Sequence, residues 1–154
     1  MAWLCFETPF GPMALEGEEA ITRLWLPGTL PHRQGRGEET PLLRAAREEL
    51  LAYFAGERRD FDLPLAPAGT EFQRAVWEAL RAIPYGQTRT YGEIAAAIGR
   101  PRAVRAVGQA NHVNPLPIFL PCHRVVGKNG ALTGYAGGLD LKRALLALES
   151  GKEC

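Results

Sequence analysis

A thiol and an imidazole stand side by side at Cys122 and His123, inside the apolar run Pro121-Cys-His-Arg-Val-Val126. A free cysteine is mostly protonated at neutral pH, so a nucleophilic cysteine needs a base or a positive charge close to it. His123 and Arg124 are candidates for both roles. Adjacent side chains on a strand point to opposite faces, so proton transfer between Cys122 and His123 needs a local turn or a bridging water.

The chain before Cys122 is stiff, because Pro115, Pro117 and Pro121 fix φ and remove backbone donors within an apolar segment. Taken alone, a Cys-His pair is more typical of a small buried cysteine beside a solvent-facing histidine. Here, however, prolines bracket the segment that presents the thiol, and a basic helix-turn-helix pattern lies nearby in the sequence. Together these features favour a reactive cysteine.

The composition is that of a globular chain of one domain or two small ones. Of its 154 residues 46% are hydrophobic, yet no apolar run approaches the ~20 residues of a membrane span. The first residues lack the basic and apolar regions of a signal peptide, so we expect a cytoplasmic protein that contacts no membrane. Cys5, Cys122 and Cys154 are odd in number and widely spaced, which argues against disulfides or a four-ligand zinc site.

The two halves of the chain differ in charge. Residues 1–68 carry seven Arg against eleven Asp and Glu, whereas residues 69–154 carry eleven Lys and Arg against six acids. Between Gly86 and Lys128 a single acid, Glu93, accompanies six basic residues: Arg89, Arg100, Arg102, Arg105, Arg124 and Lys128. This pattern attracts polyanions such as nucleic acid, although a solvated basic face accounts for the charge alone.

The first half predicts a small sheet and a helix. Apolar and β-favouring residues predict three antiparallel strands, at residues 2–8, 13–16 and 21–26. Apolar residues at helical spacing predict a helix over 41–54, with Thr40 as its N-cap. The stretch Ala66-Pro-Ala-Gly69 is typical of a linker. We therefore predict two domains, 1–67 and 68–154.

The second half predicts a helix-turn-helix. After a helix that begins at Thr70, the capping-box spacing of Thr90-Tyr-Gly-Glu93 precedes a short apolar helix ending at Ile98. A turn through Pro101 leads into a helix over 102–111 that carries Arg102 and Arg105. Small residues on this helix allow either close approach to a nucleic-acid backbone or tight helix packing: Ala103, Ala106, Gly108 and Ala110.

The segment after Val126 predicts a hairpin and a last helix. Asn129-Gly130 is a strong hairpin-turn signal, and a hairpin after a helix-turn-helix forms a wing. Tyr135 is flanked by glycines and is an aromatic residue suited to stacking on a base. The glycines also fit an ordinary loop. Residues 139–148 then predict an amphipathic helix with Glu149 at its end.

Taken together, Pro121-Cys-His-Arg-Val-Val126, the preceding Asn114-Pro-Leu-Pro and the following Gly134-Tyr-Ala-Gly-Gly-Leu139 resemble the O6-alkylguanine-DNA alkyltransferases, over about Thr70–Glu149. The resemblance implies an α/β (α+β) fold: a small ribonuclease-H-like N-terminal domain, similar here only in size and element order, and a C-terminal winged helix-turn-helix domain. It implies repair by direct reversal, in which a flipped O6-alkylguanine transfers its alkyl group irreversibly and stoichiometrically to the protein.

The resemblance also implies a role for each matching residue. Cys122 attacks the alkyl carbon, His123 accepts the thiol proton through a water, and Glu149 orients the imidazole. Tyr91 hydrogen-bonds the departing base, and Arg105 enters the base stack. The remaining residues hold the cysteine turn, wall the pocket or contact DNA: Asn114, Tyr135, Arg102, Ala103 and Arg124. Taken singly, Tyr91, Asn114 and Glu149 also fit ordinary structural roles.

Some relatives bind zinc in the N-terminal domain, but Cys5 and His32 offer no full ligand set, so we expect neither metal nor cofactor. The expected partner is double-stranded DNA containing O6-alkylguanine, with O4-alkylthymine as a second candidate, bound by a monomer. Three alternatives stay open: a lesion-binding protein that transfers nothing, a winged-helix regulator with a sensor cysteine, and a cysteine hydrolase that turns over repeatedly.

Overall fold

The computed structural model describes residues 2–32 and 37–151, and the chain divides into two compact units, Met1–Ala68 and Gly69–Cys154. Each unit has an apolar core of its own. Within the described ranges, no helix is long and apolar enough to cross a membrane. Cys154 lies outside the described residues.

The first unit is an antiparallel sheet packed against one helix. Its three strands pair in sequence order: β1 (Trp3–Thr8), β2 (Gly11–Gly17) and β3 (Ile21–Trp25). On β1, Leu4 and Phe6 are buried while Cys5 and Glu7 are exposed, the alternation of a sheet with one packed face. Helix α1 (Pro41–Phe54) packs on the sheet. The predicted sheet and helix are confirmed.

In its described residues, 69–151, the second unit is mainly helical, with four helices: α2 (Glu71–Arg81), α3 (Tyr91–Ala97), α4 (Val104–His112) and α5 (Leu139–Ser150). Helices α2 and α3 begin with complete capping boxes at Thr70 and Thr90. Helices α3 and α4 form the predicted helix-turn-helix. Helix α4 begins at Val104, two residues later than predicted, because the Ala103 N–H donates to the Arg100 carbonyl and closes a turn through Pro101.

The hairpin predicted at Asn129-Gly130 is not a two-stranded ladder. Asn129 (φ 64°) and Gly130 (φ 77°) do form a tight turn, closed by the Gly127 N–H on the Ala131 carbonyl at 2.7 Å. The strand before it, β5 (Val125–Val126), instead pairs in parallel with β4 (Arg89–Thr90). In the described residues the segment after the turn adds no strand to β5.

The cap of α2 gives a stability prediction. The Thr70 hydroxyl oxygen accepts from the Gln73 N–H at 3.1 Å, and loss of such a cap costs about 1 kcal/mol. We therefore expect Thr70→Ala to lower the free energy of unfolding in urea by about that amount. Thr70→Ser keeps the oxygen and is the matched control. Equal midpoints for both variants would contradict this role of the hydroxyl.

Candidate active site

The segment that presents Cys122 is held from within by Asn114. All residues from 114 to 126 are buried. The Asn114 side chain accepts from the Leu116 N–H at 2.9 Å and donates to the Leu120 carbonyl at 2.8 Å. One amide therefore closes the loop that leads to the thiol, and the prolines limit what else this backbone can do.

Two tight turns directly precede the cysteine and set the direction of the chain there. The Phe119 N–H donates to the Pro117 carbonyl at 2.9 Å across Ile118, whose φ is 75°. This is a γ-turn of the rare, strained form. The Cys122 N–H then donates to the Leu120 carbonyl at 2.7 Å across Pro121, at φ −75° and ψ 69°, the relaxed inverse form. Cys122 consequently begins a 3-10 turn, Cys122–Arg124, instead of continuing a strand.

Cys122 is buried, with only 4% of the residue exposed. Burial raises its pKa to about 11, while a hydrogen bond with Asn114, the cation of Lys142 and a hydrogen bond with Tyr135 act in the opposite direction. The resting group is therefore a neutral thiol at neutral pH. Its surroundings already contain groups that stabilise the thiolate once a base removes the proton.

His123 and Glu149 are brought together in the interior, far apart though they are in sequence. The imidazole Nε2 lies 2.7 Å from Glu149 Oε2, and neither side chain is exposed by more than 1%. Burial lowers the pKa of His123, against the raising effect of Glu149. The contact is thus a hydrogen bond from a neutral imidazole, in which Nε2–H donates and Nδ1 is the basic nitrogen.

The structure corrects the DNA-contact role predicted for Arg124. Its guanidinium is buried and donates to both oxygens of Glu149, at 2.8 and 2.9 Å, and to the Ile83 carbonyl at 2.7 Å. An arginine whose charge is neutralised by a bidentate carboxylate inside the protein is not available to a phosphate. Arg124 holds Glu149 in place, and it does not belong to the exposed basic surface.

Lys142 is a charged residue of the site that the sequence analysis missed. Its side chain is fully buried, and Nζ donates to the Thr133 carbonyl at 3.3 Å. Burial lowers the pKa of this ammonium, whereas its attraction to Cys122 raises it. The available signal was its spacing in α5, where Lys142, Leu145 and Glu149 share the inward face.

Tyr91 and Tyr135 lie on two other sides of the site. Tyr91 is the first residue of α3, and its hydroxyl hydrogen-bonds the hydroxyl of Thr133. A Cβ added at Gly108 of α4 would lie 3.9 Å from the Tyr91 ring, so the ring packs where α4 has no side chain. Tyr135 is buried and contacts Cys122 through its hydroxyl.

Helix α4 has a packed face and an exposed face. Ala110 is buried, and its carbonyl accepts from the Trp77 indole at 2.9 Å, so this small residue serves helix packing. Arg102, Arg105 and Ala106 are exposed, and Ala103 is half-buried at the N-cap. The exposed face keeps a DNA-binding role open for both arginines. Among the described residues, no cluster of three or more His, Cys, Asp or Glu could hold a metal ion.

The chain is similar in sequence and in fold to known proteins. Residues 71–151 match the family described as 6-O-methylguanine DNA methyltransferase, DNA binding domain. A methylated-DNA–protein-cysteine methyltransferase of Methanosarcina acetivorans is 53% identical, over 97% of this chain and 98% of that protein. A constitutive enzyme of the same name from Bacillus subtilis is 53% identical, over 93% and 92%. The crystal structure of Mycobacterium tuberculosis OGT in complex with DNA superposes with a TM-score of 0.90 at 47% identity, over 98% and 94%.

The buried ion pair gives a stability prediction. Glu149→Gln keeps the shape but leaves Arg124 as an uncompensated buried cation, so we expect a loss of about 3 kcal/mol in the free energy of unfolding. The matched control is Glu78→Gln, which removes a carboxylate that is 72% exposed and 3.8 Å from Arg81. Its urea midpoint should equal that of the wild type. Equal losses for the two variants would refute the special role of the buried pair.

Proposed function

The chain belongs to the methylated-DNA–protein-cysteine methyltransferase family and repairs O6-methylguanine in DNA by alkyl transfer to a cysteine; on that premise we propose that Cys122 is the acceptor. The observation that carries this proposal is the setting of its thiol. It lies beside a buried ammonium, and the next residue is a neutral imidazole held by a carboxylate. Cys5, the other cysteine in the described residues, is exposed on β1.

In the proposed reaction His123 accepts the thiol proton through a water, and Glu149 orients the imidazole. Arg124 keeps the Glu149 carboxylate ionised and fixed by its two hydrogen bonds. The thiolate sulfur forms a bond to the alkyl carbon as the bond from that carbon to guanine O6 breaks. The electron pair of the broken bond stays on the base, where a donor from Tyr91 disperses the charge.

The burial of Cys122 requires the target base to leave the helix. A cysteine that is 4% exposed cannot reach an atom inside a stacked duplex, so we propose that the nucleotide is flipped into the site. Flipping costs about a few kcal/mol, less for a poorly paired lesion. Arg105 is exposed on α4 and can fill the vacated position, with Arg102 and Ala103 along the DNA backbone. The likeness to a relative crystallised in complex with DNA supports DNA as the partner, and we propose that the bound form is a duplex that contains the lesion.

The reaction is proposed to occur once per molecule. A thioether is a stable product, and none of the proposed site residues provides a route to break its carbon–sulfur bond. The protein is therefore a stoichiometric reagent, which separates it from a cysteine hydrolase. A pure lesion binder would not need the thiol, and a regulator would not need the His123–Glu149 pair.

We propose that residues 68–154 carry DNA binding and alkyl transfer, and that residues 1–67 form a companion domain. The protein is proposed to act as a monomer in the cytoplasm, where a reducing environment keeps Cys122 available. O4-alkylthymine is a candidate second substrate, because it presents the same alkyl–oxygen bond on a smaller base.

The central prediction is a change in mass. Incubation with duplex DNA containing O6-methylguanine should add one methyl group to the peptide that contains Cys122, and no more than one per molecule. Cys122→Ala should bind the same duplex but stay unmodified, whereas Cys5→Ala, the matched control, should be modified like the wild type. Binding without any gain of mass in the wild type would favour the lesion binder.

Lys142 gives a prediction on pH dependence. Its cation lowers the pKa of Cys122, so Lys142→Met should raise that pKa and reduce the thiolate fraction at every pH below it. We expect alkylation of Cys122 by iodoacetamide at pH 8 to slow about tenfold, the effect of losing one nearby opposite charge. Lys128→Met, at an exposed lysine, should react like the wild type. An unchanged rate for Lys142→Met would show that its charge does not reach the sulfur.

A further inference from the structure

We propose that Thr133 is a positioning residue for alkyl transfer, which fixes Tyr91 through its side chain and Lys142 through its main chain. This inference rests on the proposed function, in which Tyr91 acts on the departing base and Lys142 on the thiolate. Thr133 matched no motif in the sequence. It lies in the loop between the Lys128–Gly130 turn and α5, and it is half-buried.

Two contacts of Thr133 reach the two sides of the reaction. Its hydroxyl hydrogen-bonds that of Tyr91, 42 residues away at the start of α3. Its carbonyl accepts from Lys142 Nζ, nine residues away in α5. Tyr91 and Lys142 belong to different helices. A shift of this one residue therefore changes the position of both groups relative to Cys122.

The hydroxyl contact has a defined chemical use. A phenol oxygen can accept one hydrogen bond while its proton is donated elsewhere. When Tyr91 donates to the flipped purine, the Thr133 hydroxyl can donate to the Tyr91 oxygen. Hydrogen bonds in such a chain polarise one another, which makes Tyr91 a stronger donor as charge develops on the base.

The carbonyl contact acts on the other partner. An ammonium has three donors and a flexible stem, so its position depends on the acceptors around it. The Thr133 carbonyl supplies one acceptor to a lysine that is fully buried. This contact restrains Nζ beside the sulfur, where a positive charge stabilises the thiolate.

Close packing at Gly127 restrains Thr133 itself. A Cβ built at Gly127 would lie 3.1 Å from the Thr133 methyl group and 3.2 Å from the Ala131 carbonyl oxygen. The backbone of Gly127 has φ −73°, which any residue can adopt, so the restriction comes from space alone. The loop thus leaves room for the Thr133 methyl group and little more.

The experiment compares Thr133→Val with Thr133→Ser under single turnover at saturating O6-methylguanine duplex. Valine keeps the branched shape and the carbonyl but removes the hydroxyl, whereas serine keeps the hydroxyl. We expect transfer to slow about fivefold to tenfold in Thr133→Val, the effect of one lost hydrogen bond, and to stay near the wild-type rate in Thr133→Ser. Duplex affinity, measured with each change in the Cys122→Ala background, should be unchanged within about twofold.

A second arm tests whether Thr133 acts through Tyr91. In a Tyr91→Phe protein the phenol oxygen is gone, so adding Thr133→Val should slow transfer no further. Iodoacetamide should modify Cys122 in Thr133→Val at the wild-type rate, because the carbonyl that holds Lys142 remains. Gly127→Ala, which pushes on the Thr133 methyl group, should slow both transfer and iodoacetamide modification.

The outcomes separate the two proposals. If the wild type gains no methyl group, the proposed function fails and the role of Thr133 fails with it. If the wild type reacts and Thr133→Val reacts equally fast, only the role of Thr133 is overturned. The same conclusion follows if Thr133→Ser is as slow as Thr133→Val, or if Thr133→Val slows the Tyr91→Phe protein by its full factor. Melting temperatures of all variants identify any loss that comes from unfolding.

Discussion

The site depends on one buried carboxylate, that of Glu149. An ionised carboxylate inside a protein is stable only when its oxygens are paired and hydrogen-bonded, and Glu149 obtains this from Arg124 and His123. Arg124 also binds the Ile83 carbonyl, so the network joins the end of α5, the cysteine turn and the segment after α2. The imidazole is oriented by the same contacts that hold these elements together. Folding and catalytic geometry consequently share one set of hydrogen bonds.

Burial and reactivity oppose each other at Cys122, and its neighbours set the balance between them. Burial of the thiol raises its pKa, and the lowering effects of Asn114, Lys142 and Tyr135 offset only part of this increase. If the protein reacts once per molecule, as proposed, it benefits from a thiol of low reactivity in the absence of substrate, since off-target alkylation or oxidation would use up the molecule. In the proposed mechanism, activation depends on His123 as the base and on the Lys142 cation, both in place before substrate arrives.

Local signals in the sequence predicted most of the fold. Thr70 and Thr90 form the N-caps of α2 and α3, because capping boxes depend on residues only three apart. The hairpin predicted at Asn129-Gly130 was wrong, because strand pairing depends on residues that are far apart in sequence. The turn is local, but the pairing of β5 is decided by Arg89–Thr90, which lies 36 residues earlier for each partner. The sequence therefore shows the turn at Asn129-Gly130, but it does not show that β5 pairs with β4.

Charged residues of the site were harder to place. Arg124 lies two residues after the cysteine, and its sequence position suggests one more exposed basic residue, yet its guanidinium is buried. The position of Lys142 suggests a surface residue of an amphipathic helix, yet it is fully buried. Whether these two side chains are buried or exposed depends on where their partners Glu149 and Cys122 lie in space, which the sequence does not show. Thr133 carries no signal at all, because its importance comes from two partners in different helices.

The γ-turn at Ile118 limits how this protein can be engineered. A β-branched residue at φ 75° stores about 1–3 kcal/mol of backbone strain, which glycine would release. Glycine would also empty a core position that is 1% exposed, at a cost of about 2–5 kcal/mol. At the middle of these ranges the cavity costs more than the released strain, so we expect glycine at position 118 to give no gain in stability. Libraries that aim at a more stable protein are better directed at the solvent-facing positions of α1 and α2.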